Sequence, residues 1–89
     1  MAWACSFTEA AEEDLIRLPR PIQKRVARIM DRMELEPLEG DVRLLSGPEW
    51  KGVFRRRMGD YRLLFTVEHS AKKLVVLRIL IRSEKTYLK

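Results

Sequence analysis

Positions 2–7 alternate, with Trp3, Cys5 and Phe7 on one side and Ala2, Ala4 and Ser6 on the other. A period of two predicts a half-buried strand. The pattern then lengthens. Thr8 offers an oxygen to the free N–H groups of a helix start, and Glu9, Glu12, Glu13 and Asp14 place negative charge in its first turns. Ala11, Leu15 and Leu18 share one face, and Pro19 ends a helix of roughly ten residues. Pro21 suits the first position of a second helix, where a missing N–H breaks no bond. Ile22, Val26, Ile29, Met30 and Met33 then form an amphipathic stripe, with Lys24, Arg25, Arg28 and Arg32 largely off it as a solvated face. Pro37 closes this helix and Gly40 marks a turn. The short connection between the helices predicts an antiparallel hairpin.

Positions 41–45 read as a short, weak strand and 46–48 as a loop. Two strand-like runs follow, separated by Gly59-Asp60, a two-residue connection that favours a β-hairpin. The second arm covers 61–68, and His69 to Lys72 form a turn. Positions 73–82 (KLVVLRILIR) are nearly continuous in aliphatic residues, as in a central strand buried on both faces. Positions 83–89 make a short tail, one helical turn after a Ser cap. The predicted order is β-α-α-β-β-β-β within a single domain over 1–89. It is an α+β fold with two helices on one face of a mostly antiparallel sheet, the other face partly open.

Composition narrows the function. A chain of 89 residues, 46% hydrophobic and 35% charged, supports one thin core. No apolar run approaches the ~18 residues of a membrane span, and positions 1–5 lack the basic and apolar regions of a secretory signal. Cys5 is the sole cysteine, which rules out an internal disulfide and fits a reducing cytoplasm. One His and one Cys leave no structural zinc site, and no cofactor is implied. The net charge of +5 is uneven. Positions 1–49 hold seven Lys/Arg against ten Asp/Glu, and positions 50–89 hold eleven against three, or −3 and +8. A basic half fits a nucleic-acid partner; on composition alone, a basic surface kept for solubility fits as well.

The stretch at 50–62 packs Lys51, Arg55, Arg56, Arg57 and Arg62 into thirteen residues. Strand alternation sends Arg55, Arg57, Arg62, Arg78 and Arg82 to one sheet face. Phe54, Met58, Leu63, Phe65, Val75, Leu77 and Ile79 take the core face. Arg56 falls among the core-facing set and is expected to snorkel at the sheet margin. Several guanidiniums on one concave face make a phosphate-binding surface, because the rigid fork of Arg matches phosphate oxygens. Tyr87 offers a stacking platform for a base, or a hydrophobic anchor for the tail. No paired carboxylates, His/Asp metal cluster, nucleophile motif or Gly-rich phosphate loop accompanies them, and His69 falls in a turn. A nuclease built from these residues is metal-independent. It uses the RNA 2′-hydroxyl as nucleophile, with Arg side chains stabilising the phosphorane.

The whole chain resembles the RelE/ParE superfamily of bacterial toxins from toxin–antitoxin pairs. The resemblance rests on the element order, on Phe54-Arg55-Arg56-Arg57-Met58-Gly59-Asp60-Tyr61-Arg62, and on a last strand ending in Arg82 with Tyr87 shortly after. The RelE branch implies a type II toxin that is a ribosome-dependent endoribonuclease, cleaving mRNA in the ribosomal A site. Carried over by motif, Arg55 and Arg57 match two basic residues of the first hairpin arm, one of them usually a Lys that activates the 2′-hydroxyl. Arg62 stabilises the phosphate charge, Arg82 assists the 5′-oxygen leaving group and Tyr87 stacks on a base. Lys51, Arg57 and Arg78 join the RNA-binding surface. Arg at 55 holds its proton where a Lys could release it, and Leu80-Ile81 stands where relatives often carry Gly-His. The proton transfers are therefore assigned to solvent or rRNA groups. The ParE branch implies a gyrase inhibitor instead, and a non-catalytic RNA-binding or interaction module is the third alternative. The resemblance also implies a RelB-like antitoxin that wraps helices and sheet and displaces 83–89. The ribosome and mRNA are the other partners, operator DNA is bound only through the antitoxin, and the protein is cytoplasmic with no membrane partner.

Overall fold

A computed structural model describes residues 2–81. The order is β1 (Ala4–Phe7), α1 (Glu9–Arg17), α2 (Arg20–Met33), β2 (Val42–Leu44), a 3₁₀ turn (Pro48–Trp50), β3 (Phe54–Met58), β4 (Tyr61–Glu68) and β5 (Lys73–Ile81). This is the predicted α+β order. The strands form one sheet in the order β1-β5-β4-β3-β2, in which β1 runs parallel to β5 and the other pairs are antiparallel. No helix among the described residues is long and apolar enough to cross a membrane.

Local chemistry explains the boundaries. The Thr8 hydroxyl accepts from Ala11 N–H at 3.1 Å, capping α1, and donates to the Leu77 carbonyl at 2.8 Å, tying that helix start to β5. Only Leu18 and Pro19 separate the helices, and the Gln23 amide closes α1 by donating to the Leu18 carbonyl at 2.9 Å. Helix α2 begins at Arg20, so Pro21 sits one position later than expected, still within the first turn, where no intrahelical N–H is needed. Met58 pairs directly with Tyr61 across Gly59-Asp60. Gly59 has φ +60° and Asp60 does not turn positive, the pattern of a type II′ hairpin turn.

The stripe on α2 meets one face of the sheet. Val26, Met30 and Met33 are buried with Ala11, Met58, Leu63, Phe65, Leu74, Val76 and Ile79. Phe54 and Phe65 stack at 5.7 Å between ring centres. Burying side chains of this size contributes about 1.5–3 kcal/mol each, so this layer is the main source of stability.

One expectation fails. Val75 and Leu77 do not face the helices; Leu74 and Val76 do. Leu64 pairs with Arg78 but Phe65 pairs with Val76, so Leu77 is an extra residue in β5. A β-bulge of this kind reverses the alternation beyond it. Ile79 therefore faces the helices as predicted, while Leu77 packs on the opposite side with Val53, Leu64 and Leu80. Arg78, paired with Leu64, stays on the open face as expected and reaches back to α1. Its Nε and Nη2 donate to the two Asp14 carboxylate oxygens at 2.7 and 3.2 Å, and Ile79 N–H donates to the same carboxylate at 2.9 Å.

Burial alone raises the Asp14 pKa. The hydrogen bonds from Arg78 and Ile79, with the charges of Arg78 and Arg17, outweigh it and hold the carboxyl below its usual value. A depressed native pKa adds stability above the unfolded value and loses it as pH falls through the native one. Asp14→Asn is therefore expected to cost about 1–2 kcal/mol at neutral pH. The difference from wild type shrinks as pH drops below about 4. Urea unfolding at pH 7 and pH 3 measures both, and a difference independent of pH contradicts the assignment.

Candidate phosphate-binding site on the open sheet face

Register brings the arginines together. Arg43 on β2 pairs with Arg55 on β3, and Arg55 with Leu64 on β4; Arg57 pairs with Arg62, and Arg62 with Leu80 on β5. Directly paired residues share a face. Leu64 and Leu80 lie on the face turned away from the helices, so Arg43, Arg55, Arg57 and Arg62 lie there too. Arg55 and Arg62 are buried, at 6% and 8% exposure, while Arg43 and Arg57 are exposed.

One wall of the site is apolar. Val53, Leu64 and Leu80 are buried, with Leu45, Trp50 and Leu77 against them. The segment between β2 and β3 folds back so that Leu45 N–H reaches the Val53 carbonyl at 2.9 Å, which carries Trp50 onto the sheet. The face expected to be partly open is thus half covered, and the arginines occupy the rest.

Burial pushes the Arg55 pKa down, Asp41 raises it, and Arg62, Arg57 and Arg43 lower it further. The guanidinium remains a cation regardless, so it stabilises charge but does not act as a general base. Asp41 answers part of the charge. Its carboxylate lies 3.7 Å from Arg55 Nη1 and 3.7 Å from Arg57 Nε, and its carbonyl accepts the Arg57 N–H at 3.0 Å. At those distances the contacts are ionic and not hydrogen bonds. Arg55 Nη1 is buried with no hydrogen-bond acceptor, so its positive charge is only partly answered.

The other expected site residues are placed differently. Lys51 is exposed before β3, at the opposite end of that strand from Arg57. Arg78 does share this face, through its pairing with Leu64, but its guanidinium is engaged by Asp14 on α1. Arg82 and Tyr87 lie outside the described residues. His69 is exposed in its turn and meets Trp3 edge-on at 5.5 Å. Among the described residues, no three His, Cys, Asp or Glu side chains gather as metal ligands. Arg43 and Asp41 were missed by the sequence reading. Their signal was the alternation Asp41, Arg43, Leu45, but the strand is only three residues long, and its register with β3 is not written in its own sequence.

Residues 5–86 match the family model described as the ParE toxin of type II toxin–antitoxin systems, parDE. The chain belongs to this family. Within the wider RelE/ParE superfamily it resembles solved toxin structures over nearly its full length. The RelBE2 toxin–antitoxin complex from Mycobacterium tuberculosis matches with 29% identity and a TM-score of 0.82, covering 94% of this chain and 95% of that one. The archaeal RelE–RelB complex from Pyrococcus horikoshii matches with 27% identity and a TM-score of 0.81, covering 94% and 99%. The isolated E. coli RelE toxin shares the fold, at 15% identity and a TM-score of 0.77 over 98% and 92% of the two chains. No curated protein sequence matches the chain. The ParE-family chain is thus a toxin-type domain whose open face gathers Arg43, Arg55, Arg57 and Arg62, with Asp41 beside Arg55 and Arg57.

Asp41→Asn should act with opposite signs on stability and binding. Losing the half-exposed ion pairs costs about 0.5–1 kcal/mol. Removing the competing carboxylate strengthens polyanion binding, so the variant elutes from heparin at higher salt. Glu68→Gln makes the same charge change at an exposed position and should shift elution less. Equal shifts contradict a specific role for Asp41.

Proposed function

We propose that this toxin is a ribosome-dependent, metal-independent endoribonuclease that cleaves mRNA in the ribosomal A site. The observation that carries the reading is the open-face cluster, in which two arginines are buried beside two exposed ones. A phosphodiester approaching this face meets fixed donors in a partly desolvated setting, where preorganised charge stabilises a transition state most. The RNA 2′-oxygen attacks the adjacent phosphorus, a 2′,3′-cyclic phosphate forms, and the bond to the 5′-oxygen breaks. The 2′-hydroxyl proton leaves to solvent or an rRNA group, and the departing oxygen takes a proton from the same sources. Arg55 and Arg62 hold the charge of the phosphorane, and Arg57 and Lys51 attract the backbone. Arg82 assists the leaving oxygen and Tyr87 stacks on a base. Arg78, tied to Asp14 but half-exposed, contributes at the margin.

The neutralising partner in this reading is a RelB-like antitoxin whose acidic, partly disordered segment folds over the basic surface. RelE–RelB complexes are the solved forms of two similar structures. The second reading is gyrase inhibition, favoured by the match to the ParE model.

Primer extension on ribosome-bound message with EDTA present should show new ends within the A-site codon. Absence of such ends, with inhibition of gyrase supercoiling, selects the second reading. Arg62→Ala is expected to abolish growth inhibition while circular dichroism and antitoxin binding are retained. Toxicity at the wild-type level contradicts the site assignment.

A further inference from the structure

Arg56 plays no part in the open-face cluster. Alternation sends it to the helix side of β3, where Phe54 and Met58 are its apolar neighbours. There it lines a groove of about 510 Å³ with Arg25, Arg28, Ile29, Asp31 and Arg32. The groove thus lies between the exposed side of α2 and the hairpin and, among the described residues, carries four guanidiniums against one carboxylate.

Two glycines let the end guanidiniums lie close to the backbone. A Cβ at Gly59 would stand 3.2 Å from both terminal nitrogens of Arg25, and a Cβ at Gly40 would stand 2.7 Å from Arg56 Nη1. Arg56 Nη1 also donates to the Glu39 carbonyl. Its Nε is buried with no hydrogen-bond partner. Arg56 is therefore held in place, partly desolvated, and beside the like charge of Arg32. Burial first, and Arg32 second, work against its charged form, with Glu39 and Asp41 opposing them. An apolar side chain would fill this position at lower electrostatic cost.

We infer that this groove is a second phosphate-binding site, which takes phosphodiester groups of an RNA backbone on the face opposite the Arg55 and Arg62 cluster. The choice of RNA rests on the proposed function; the site itself does not depend on cleavage. Among the described residues, Ile29 is the one apolar side chain lining the groove, and the rest of its apolar wall comes from arginine stems. An acidic peptide would need apolar anchors in pockets to bind well, whereas phosphodiesters need what the groove has, forked donors and positive charge. Basic surfaces on opposite faces let one toxin hold a substrate strand on one side and a structural RNA on the other.

The test is fluorescence anisotropy with a labelled 2′-O-methyl RNA hairpin, which cannot be cut through a 2′-hydroxyl. Arg56→Met with Arg32→Gln removes two groove charges, and Arg20→Gln with Lys24→Gln removes two from the exposed face of α2 outside the groove. Urea unfolding checks that both pairs fold. The groove pair should bind about tenfold more weakly at 0.1 M salt, with a salt slope smaller by about 1–2, and the control pair about twofold more weakly. Groove-pair binding at wild-type strength, or a loss no greater than the control's, overturns the site. Displacement of the hairpin by polyglutamate at lower concentration than by polyphosphate, sensitive to Arg56→Met, overturns the choice of RNA in favour of an acidic protein. Primer extension with the wild-type toxin reads cleavage separately, so failure of the groove and failure of the nuclease reading give different results.

Discussion

Besides Arg78, which Asp14 engages, four arginines share the open face of a five-stranded sheet, two of them buried, with the half-exposed Asp41 carboxylate 3.7 Å from Arg55 and from Arg57. Like charges in a partly desolvated site repel strongly, because water no longer screens them fully. The fold tolerates this because most of its stability comes from the other face, where α1 and α2 bury Val26, Met30, Met33, Leu63, Phe65 and Val76. Clustered charge and most of the burial are therefore divided by the sheet. One layer supplies burial, and the opposite layer holds charge that an oxyanion can neutralise.

The small elements serve that division. The bulge at Leu77 sets the helix-facing register on both sides of itself and lets Asp14 take Arg78 and the Ile79 N–H. Thr8 fixes the start of α1 to the Leu77 carbonyl at the bulge. The type II′ turn at Gly59 aligns Arg57 with Arg62 across the hairpin. On the helix side, Arg56 spans from the sheet to the corner at 39–41, from which Asp41 reaches over to the open face.

Much of this was legible in the chain. The Thr8 cap, Pro19, the stripe on α2 and the Gly59-Asp60 turn are local signals, and local chemistry settles them. The grouping of Arg55, Arg57 and Arg62 followed from alternation within one hairpin, whose short turn fixes its register. Alternation failed for Val75 and Leu77, because a bulge depends on tertiary fit between β4 and β5 and leaves no mark in a run of aliphatic residues. It also could not find Arg43 or Asp41, since a three-residue edge strand takes its register from the partner strand. Arg56 was placed correctly on the helix side, yet the groove it lines depends on α2 and two glycines distant in sequence.

The central claim is that the open-face arginines are kept for an anion and not for the fold. The urea midpoint of Arg55→Met at low ionic strength tests it most directly. Methionine fills a similar volume without charge, so stability should equal that of wild type or exceed it by up to about 2 kcal/mol. A loss of about 3 kcal/mol or more would show that Arg55 is a structural residue and contradict the claim.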